Sequence, residues 1–274
     1  MEALFTYENN DGTLTSFPHD IPTNTQKMTL KFTAIQAIDY IEPFPDLKIL
    51  YLSNNALNVF PDLSNISSTL EKLLLGNNDI AAINSIAPMS RLHTLGLNNN
   101  LLTHLPDLSN ISTTLKFLYI ADNNIVVIES MSTMLVLEVL IIRTNDMTLF
   151  PDVRNAASSL KHLKVSGNEI TQTPNDLVSP LVALTKLTLG TSSGDPVTLP
   201  NVCMMGRDVL TLEMRSQYIT CGWAAVYVKL AERVGRLVIT SVGAPPPKCA
   251  SPAAFVGRNF SDVTINDLTT QASK

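Results

Sequence analysis

From Thr25 to Ile170 one pattern of apolar residues recurs every 22 or 23 residues, and nothing else in the chain constrains its fold so tightly. One copy reads Leu47-x-x-Leu50-x-Leu52-x-x-Asn55-x-Leu57-x-x-Phe60 and the next reads Leu70-x-x-Leu73-x-Leu75-x-x-Asn78-x-Ile80-x-x-Ile83. Further copies begin at Leu92, Leu115, Leu137 and Leu160, with Asn100, Asn123, Asn145 and Asn168 in the slot of Asn55 and Asn78. The alternation at the end of each Leu-x-x-Leu-x-Leu run is that of a short strand, so Leu50 and Leu52 point the same way into a core. The Asn falls where the chain must leave the strand. Its amide carries donors and an acceptor, and can satisfy the backbone groups exposed there. A single coil of this kind cannot bury its apolar face, so the coils must stack and their Asn side chains must form a column.

The anchors at 25, 47, 70, 92, 115, 137, 160 and 184 are separated by 22, 23, 22, 23, 22, 23 and 24 residues. The intervening segments alternate too. Phe60-Pro-Asp-Leu-Ser-Asn65-Ile-Ser-Ser-Thr recurs 45 residues later as Leu105-Pro-Asp-Leu-Ser-Asn110-Ile-Ser-Thr-Thr, and a worn copy begins Phe150-Pro-Asp-Val-Arg-Asn155. Pro fixes φ and Asp forms turns, so these backs are expected to be turns or short 3₁₀ segments. Both ends are degenerate: Thr25 and Thr33 stand where Leu and Asn belong, and Ser192 occupies the Asn slot of the Leu184 coil.

The pattern resembles the leucine-rich repeat family, and the resemblance spans about residues 14–268. It implies an α/β-type repeat solenoid: a curved horseshoe with a parallel concave sheet, an internal Asn ladder and an irregular or 3₁₀ convex side. Cys221-Gly-Trp223, Cys249-Ala-Ser-Pro252 and Gly257-Arg-Asn259-Phe resemble the small helical, cysteine-flanked C-terminal cap of extracellular members. By that resemblance Cys221 pairs with Cys249, closing a loop worth roughly 3 kcal/mol on chain-entropy grounds, and Cys203 is left over. Counting alone favours three buried thiols. Leu14-Thr-Ser-Phe17-Pro18-His-Asp-Ile21-Pro22 is similar to the end of the matching N-terminal cap without its cysteines. The organisation expected is an N-terminal cap remnant over 1–24, about eight coils over 25–205 and a C-terminal cap over 206–274.

The bounds narrow the function. Net charge is −5 with no basic run, which argues against nucleic acid. No stretch reaches the ~18–20 apolar residues of a membrane span. The first residues lack the basic and apolar regions of a signal peptide, which by itself reads as cytosolic; the caps and three acceptor triplets at Asn65, Asn110 and Asn259 read as extracellular. Asn155 shares the slot of Asn65 and Asn110 but precedes Ala-Ala, so an Asn there also serves a turn alone.

Gly190-Thr-Ser192-Ser-Gly194 matches a nucleophile elbow, yet no His follows His162 and Ser192 sits in a coil turn. His19, His93, His104 and His162 form no pair at metal-ligand spacing. No catalytic residue, metal or cofactor is expected. Function falls instead to the outward strand positions. One column reads Thr29, Tyr51, Leu74, Gly96, Tyr119, Ile141, Lys164, Thr188; the other reads Lys27, Ile49, Lys72, Thr94, Phe117, Val139, His162, Lys186. An apolar streak through Tyr51, Leu74, Phe117, Tyr119, Val139 and Ile141, beside a basic spot at Arg143, Lys161 and Lys164, is the candidate surface for a protein ligand, or a glycan. Such residues also pair well across strands for purely structural reasons. The expected role is non-enzymatic recognition in an adhesion, receptor or immune-type ectodomain; an intracellular scaffold that regulates a signalling enzyme is the alternative.

Overall fold

The computed structural model describes residues 5–199, 210–214, 218–220, 237–241, 248–251, 258, 259 and 263. Two compact units divide the chain: Met1–Ile125 with Met131–Leu140, and Val126–Ser130 with Ile141–Lys274. In the first unit each repeat contributes one short parallel strand: β1 (Thr6–Asn9), β2 (Lys27–Leu30), β3 (Ile49–Tyr51), β4 (Lys72–Leu74), β5 (Thr94–Gly96), β6 (Phe117–Tyr119) and β7 (Val139–Ile141), the last residue of which is assigned to the second unit. They lie side by side in chain order. Pairing is in register, so Met28, Leu50, Leu73, Leu95 and Leu118 form one row, each with no solvent exposure. Burying each such side chain contributes roughly 1.5–3 kcal/mol, which is why the Leu positions vary so little.

The second unit repeats the arrangement with β8 (His162–Lys164), β9 (Lys186–Leu189), β11 (Leu210–Met214) and β13 (Leu237–Ser241), again parallel neighbours in that order. β10 (Val197–Thr198), β12 (Tyr218–Thr220) and β14 (Lys248–Ser251) form a separate parallel sheet. The sheet thus runs on past residue 205 into the segment 206–274, most of which lies outside the described residues.

The ladder amides bridge consecutive coils. Asn100 Nδ2 donates to the carbonyls of Leu75 (3.0 Å) and Leu97 (3.1 Å), and its Oδ1 accepts the Ile80 N–H (3.1 Å). Asn78, Asn123 and Asn168 repeat this, each accepting from Leu57, Leu102 or Met147 of the coil before. Asn145 donates to Ile142 O (3.1 Å). At the start of the stack Asn55 accepts instead from the Thr33 hydroxyl, so the degenerate Thr still supplies a donor.

Behind the strands, two kinds of back alternate. The Pro-Asp segments form the expected 3₁₀ turns at Ser64–Ile66, Ser109–Ile111 and Arg154–Ala156. Asp62, Asp107 and Asp152 each accept the backbone N–H two residues on, at 3.0, 2.9 and 3.1 Å. These bonds reward the charged carboxylate; hydrogen bonding from Ser64, Ser109 and Arg154 respectively holds each below its ordinary pKa. The other backs carry neither helix nor strand, and bury every third residue: Ile38, Ile41, Phe44; then Ile83, Ile86, Met89; then Ile128, Met131, Met134.

One feature at the strand exits was not read from the sequence. The residue just before each ladder position has positive φ: Phe32 (56°), Asn54 (61°), Asn77 (58°), Asn99 (53°), Asp122 (56°), Thr144 (54°) and Gly167 (74°). Asn, Asp and Gly tolerate this region, while an aromatic or β-branched residue resists it. Phe32 is 64% exposed and gives up no core contact on replacement. Phe32→Asn is therefore expected to raise the unfolding free energy by about 0.5–1 kcal/mol, read as a higher urea midpoint at unchanged slope.

Candidate functional site

Alternation along each strand leaves one side of the sheet as core and the other open. In the first unit the open side presents two rows: Thr6, Lys27, Ile49, Lys72, Thr94, Phe117, and Glu8, Thr29, Tyr51, Leu74, Gly96, Tyr119. Five of the expected surface residues lie in this unit. Tyr51, Leu74, Phe117, Tyr119 and Val139 are all half-buried, flanked by fully buried residues on the same strand. Tyr51 and Leu74 are direct cross-strand partners. Gly96 separates Leu74 from Tyr119, and a Cβ at Gly96 would stand 2.7 Å from Leu74 Cδ2, so the Leu74 side chain occupies the space above that glycine. The result is one apolar floor in place of isolated side chains.

At one end of this floor, three ammonium groups gather over the Tyr51 ring. Lys31 Nζ is 4.6 Å from its centroid, and Lys27 and Lys72 are each 5.5 Å away. The attraction is that of cations for the ring quadrupole. Lys27 and Lys72 flank Ile49 from the two neighbouring strands, while Lys31 reaches over from the residue two beyond Thr29. Column alignment alone puts Lys27 and Lys72 in one row; the diagonal approach of all three to Tyr51 depends on the parallel register. The cluster is not legible within any one column of the repeat, because its contacts run diagonally between columns.

The second unit holds Ile141, Arg143 and Lys164. Ile141 and Lys164 are half-buried and Arg143 is exposed. Here a counter-charge is built in. Glu213, 5% exposed, stands opposite Thr188 and accepts its hydroxyl at 2.7 Å, with Lys186 Nζ 3.5 Å away. Burial pushes the Glu213 carboxyl up, but the Thr188 hydrogen bond and the charges of Lys186 and Lys164 outweigh it, and its pKa is lowered. A lowered folded-state pKa means stability that is present above the unfolded glutamate value of about 4.3 and lost as pH falls through the lower folded value. Glu213→Gln keeps an acceptor for Thr188, so its acid-unfolding profile is expected to be flatter below about pH 4 than that of the parent. Equal profiles would show that this carboxylate does not sense folding.

Asn65 and Asn110 are exposed on the backs, and each donates through Nδ2 to the coil before, to Ile41 O at 3.0 Å and Ile86 O at 2.9 Å. That bond gives Asn a structural task in this slot whether or not a sugar is attached; the second amide hydrogen is the one a glycan would replace. Asn259 is half-buried. Cys249 is fully buried and disulfide-bonded; Cys203 and Cys221 lie outside the described residues. The Ser192 hydroxyl donates to Glu169, as does that of Ser193 at 2.6 Å, so the elbow-like motif is an exposed turn tied to a carboxylate. Among the described residues no group of three His, Cys, Asp or Glu is placed to hold a metal ion, and no helix is long and apolar enough to cross a membrane.

No protein-family model and no curated protein sequence matches this chain. Solved structures do. A chain of the Toll–Spatzle complex, a molecular hub in Drosophila development and innate immunity, is 16% identical with a TM-score of 0.60. The match covers 94% of the present chain and 41% of that one, so the present chain spans less than half of that neighbour's length. A chain of the octameric complex of Latrophilin 3 (Lec, Olf), Unc5D (Ig, Ig2, TSP1) and FLRT2 (LRR) is 18% identical, with a TM-score of 0.63 and 94% of both chains covered. At such identities the likeness concerns the fold. Together with the parallel, in-register coils and their amide ladder, it defines a leucine-rich repeat solenoid.

Proposed function

We propose that this chain is a non-enzymatic protein-recognition module of an extracellular leucine-rich repeat protein, binding its ligand on the open face of the sheet. The observation that carries the reading is the half-exposed set of Tyr51, Leu74, Phe117 and Tyr119, from two adjoining rows, on a sheet whose other face is saturated with core. Aromatic side chains that are partly wet yet rigidly seated are the kind that become binding hot spots. The structural neighbours are chains of complexes between proteins, which supports a protein ligand over a glycan. The disulfide at Cys249 supports an oxidising compartment, with Cys221 as its partner on the family pattern. Ile141, Arg143 and Lys164 belong to the proposed surface, Asn65, Asn110 and Asn259 are its proposed glycan acceptors, and residues 206–274 its proposed C-terminal cap.

The test is secretion of the chain from a eukaryotic host, followed by binding to an array of displayed ectodomains and secreted proteins. Non-reducing peptide mapping should join Cys221 to Cys249. A partner found this way should lose binding at least about 100-fold with Tyr51→Ala, Phe117→Ala and Tyr119→Ala combined, at about 1–2 kcal/mol for each aromatic anchor. It should keep binding with exposed back-surface changes such as Ser68→Ala and Thr113→Ala. Free thiols on Cys221 and Cys249, or binding that survives the aromatic replacements, would refute the reading and return the intracellular scaffold.

A further inference from the structure

We infer that the Lys27, Lys31 and Lys72 cluster around Tyr51 is a recognition site for an acidic protein segment, whose carboxylates bridge the three ammonium groups while a neighbouring apolar side chain rests on Leu74. The inference rests on the protein-recognition reading above and names the chemistry of the ligand.

Three observations carry it. The first is local charge: the chain as a whole is at −5, yet within 4.6–5.5 Å of one ring centroid it places three positive groups. None of the three has a carboxylate within ion-pair distance among the described residues. Glu8 is the acidic residue in the open rows of this unit; it stands opposite Thr29 and accepts from Asn10 at 2.8 Å. Like charges gathered around one ring repel, and an anion bound beside them relieves the repulsion. The contrast is Lys186 in the second unit, where Glu213 already supplies the counter-charge.

The second observation is the floor. Ile49 and Leu74 are half-buried beside the cluster, and Tyr119 continues the surface. A polypeptide offers apolar side chains to cover such a floor, and a sulfated polysaccharide does not. The third is the rim. Lys48, Glu71, His93 and Lys116 succeed one another along the strand entries, so a carboxylate interrupts the basic track that a long polyanion would need. The site is short and local, matched to a few acidic residues. Next to Lys31, Phe32 exposes 64% of its surface, adding an aromatic at the margin of the cluster.

The experiment uses the full chain and fluorescence polarisation with three labelled probes: a short Asp/Glu peptide carrying one Phe-Leu pair, the same peptide with Ser-Ser in that place, and a heparin octasaccharide. The Phe-Leu peptide should bind most tightly, with affinity that falls as salt rises. K27Q/K31Q/K72Q should weaken it about 10-fold, the sum expected of three partly exposed ion pairs. K27R/K31R/K72R should retain binding. K48Q/R91Q/K116Q changes net charge equally and should stay within about 2-fold. No binding of the peptide, equal loss in both Gln triples, or preference for the heparin fragment would each overturn the inference. Failure here is separable from failure of the broader reading. A protein partner that is lost with the aromatic replacements but kept by K27Q/K31Q/K72Q would leave protein recognition standing and remove the acidic-segment site.

Discussion

Replacing Asn100 by Ala is expected to cost about 2–4 kcal/mol of unfolding free energy, far more than the truncation of one polar side chain at a surface. The side chain is 5% exposed and engages four backbone groups from two coils, those of Ile80, Leu75, Leu97 and Asn98. Alanine would strand the Ile80 N–H away from water, at about 1–3 kcal/mol, and would take one of two donors from each of the Leu75 and Leu97 carbonyls, which keep the amides of Asn78 and Asn123. Asn100→Asp tests the sign of the donors. It preserves the acceptor for Ile80 but turns a carboxylate toward two carbonyls, so its deficit should grow as pH rises through its own pKa. Asn55→Ala should cost less, about 1–2 kcal/mol, because Asn55 is half-exposed and its oxygen accepts a hydroxyl in place of a backbone N–H. Urea unfolding followed by circular dichroism measures all three. Equal losses at positions 55 and 100 would show that burial does not set the value of the ladder.

Phe44→Ala is the second large effect, at about 3–5 kcal/mol. Phe44 is the bulkiest of the fully buried side chains, 2% exposed, and sits in a back segment without helix or strand. No regular element is there to collapse into the space it leaves, so the cavity term should be fully felt. The same slot in the next two double coils holds Met89 and Met134, both buried. Phe44→Met is accordingly expected to cost less than about 1.5 kcal/mol. If both variants were equally destabilised, ring shape rather than volume would be what the back requires.

The strands were legible because Leu-x-Leu spacing leaves the chain one way to bury both side chains, and β3 to β6 fall on those runs. The 3₁₀ turns were legible through Pro-Asp, since each residue acts on its own backbone. The left-handed strand exits were harder, because Phe32, Asn54, Asp122, Thr144 and Gly167 share a conformation and no chemistry. The lysines of the first unit needed more than a column-by-column comparison. Lys31 is four residues after Lys27, and only the pairing of Tyr51 with Thr29, midway between them, brings both to the ring. The basic spot expected from Arg143, Lys161 and Lys164 divides for a similar reason: Lys161 stands one residue before β8, on the rim, while Lys164 lies on the open face near Glu213. Periodicity reports which way a side chain points. It does not report what waits diagonally across the sheet.

The alternating backs have a consequence for how such a chain can lengthen. The amide of Asn65 reaches the carbonyl of Ile41, and that of Asn110 reaches Ile86, so each of these two 3₁₀ backs donates to an irregular back that accepts. Removing one coil would set two donors, or two acceptors, against each other. Growth and loss should therefore come in steps of 45 residues, the interval at which Pro-Asp-Leu-Ser-Asn returns. A second copy of residues 47–91 spliced in tandem would present every back with its complement, and would extend the array as one more link of the same chain.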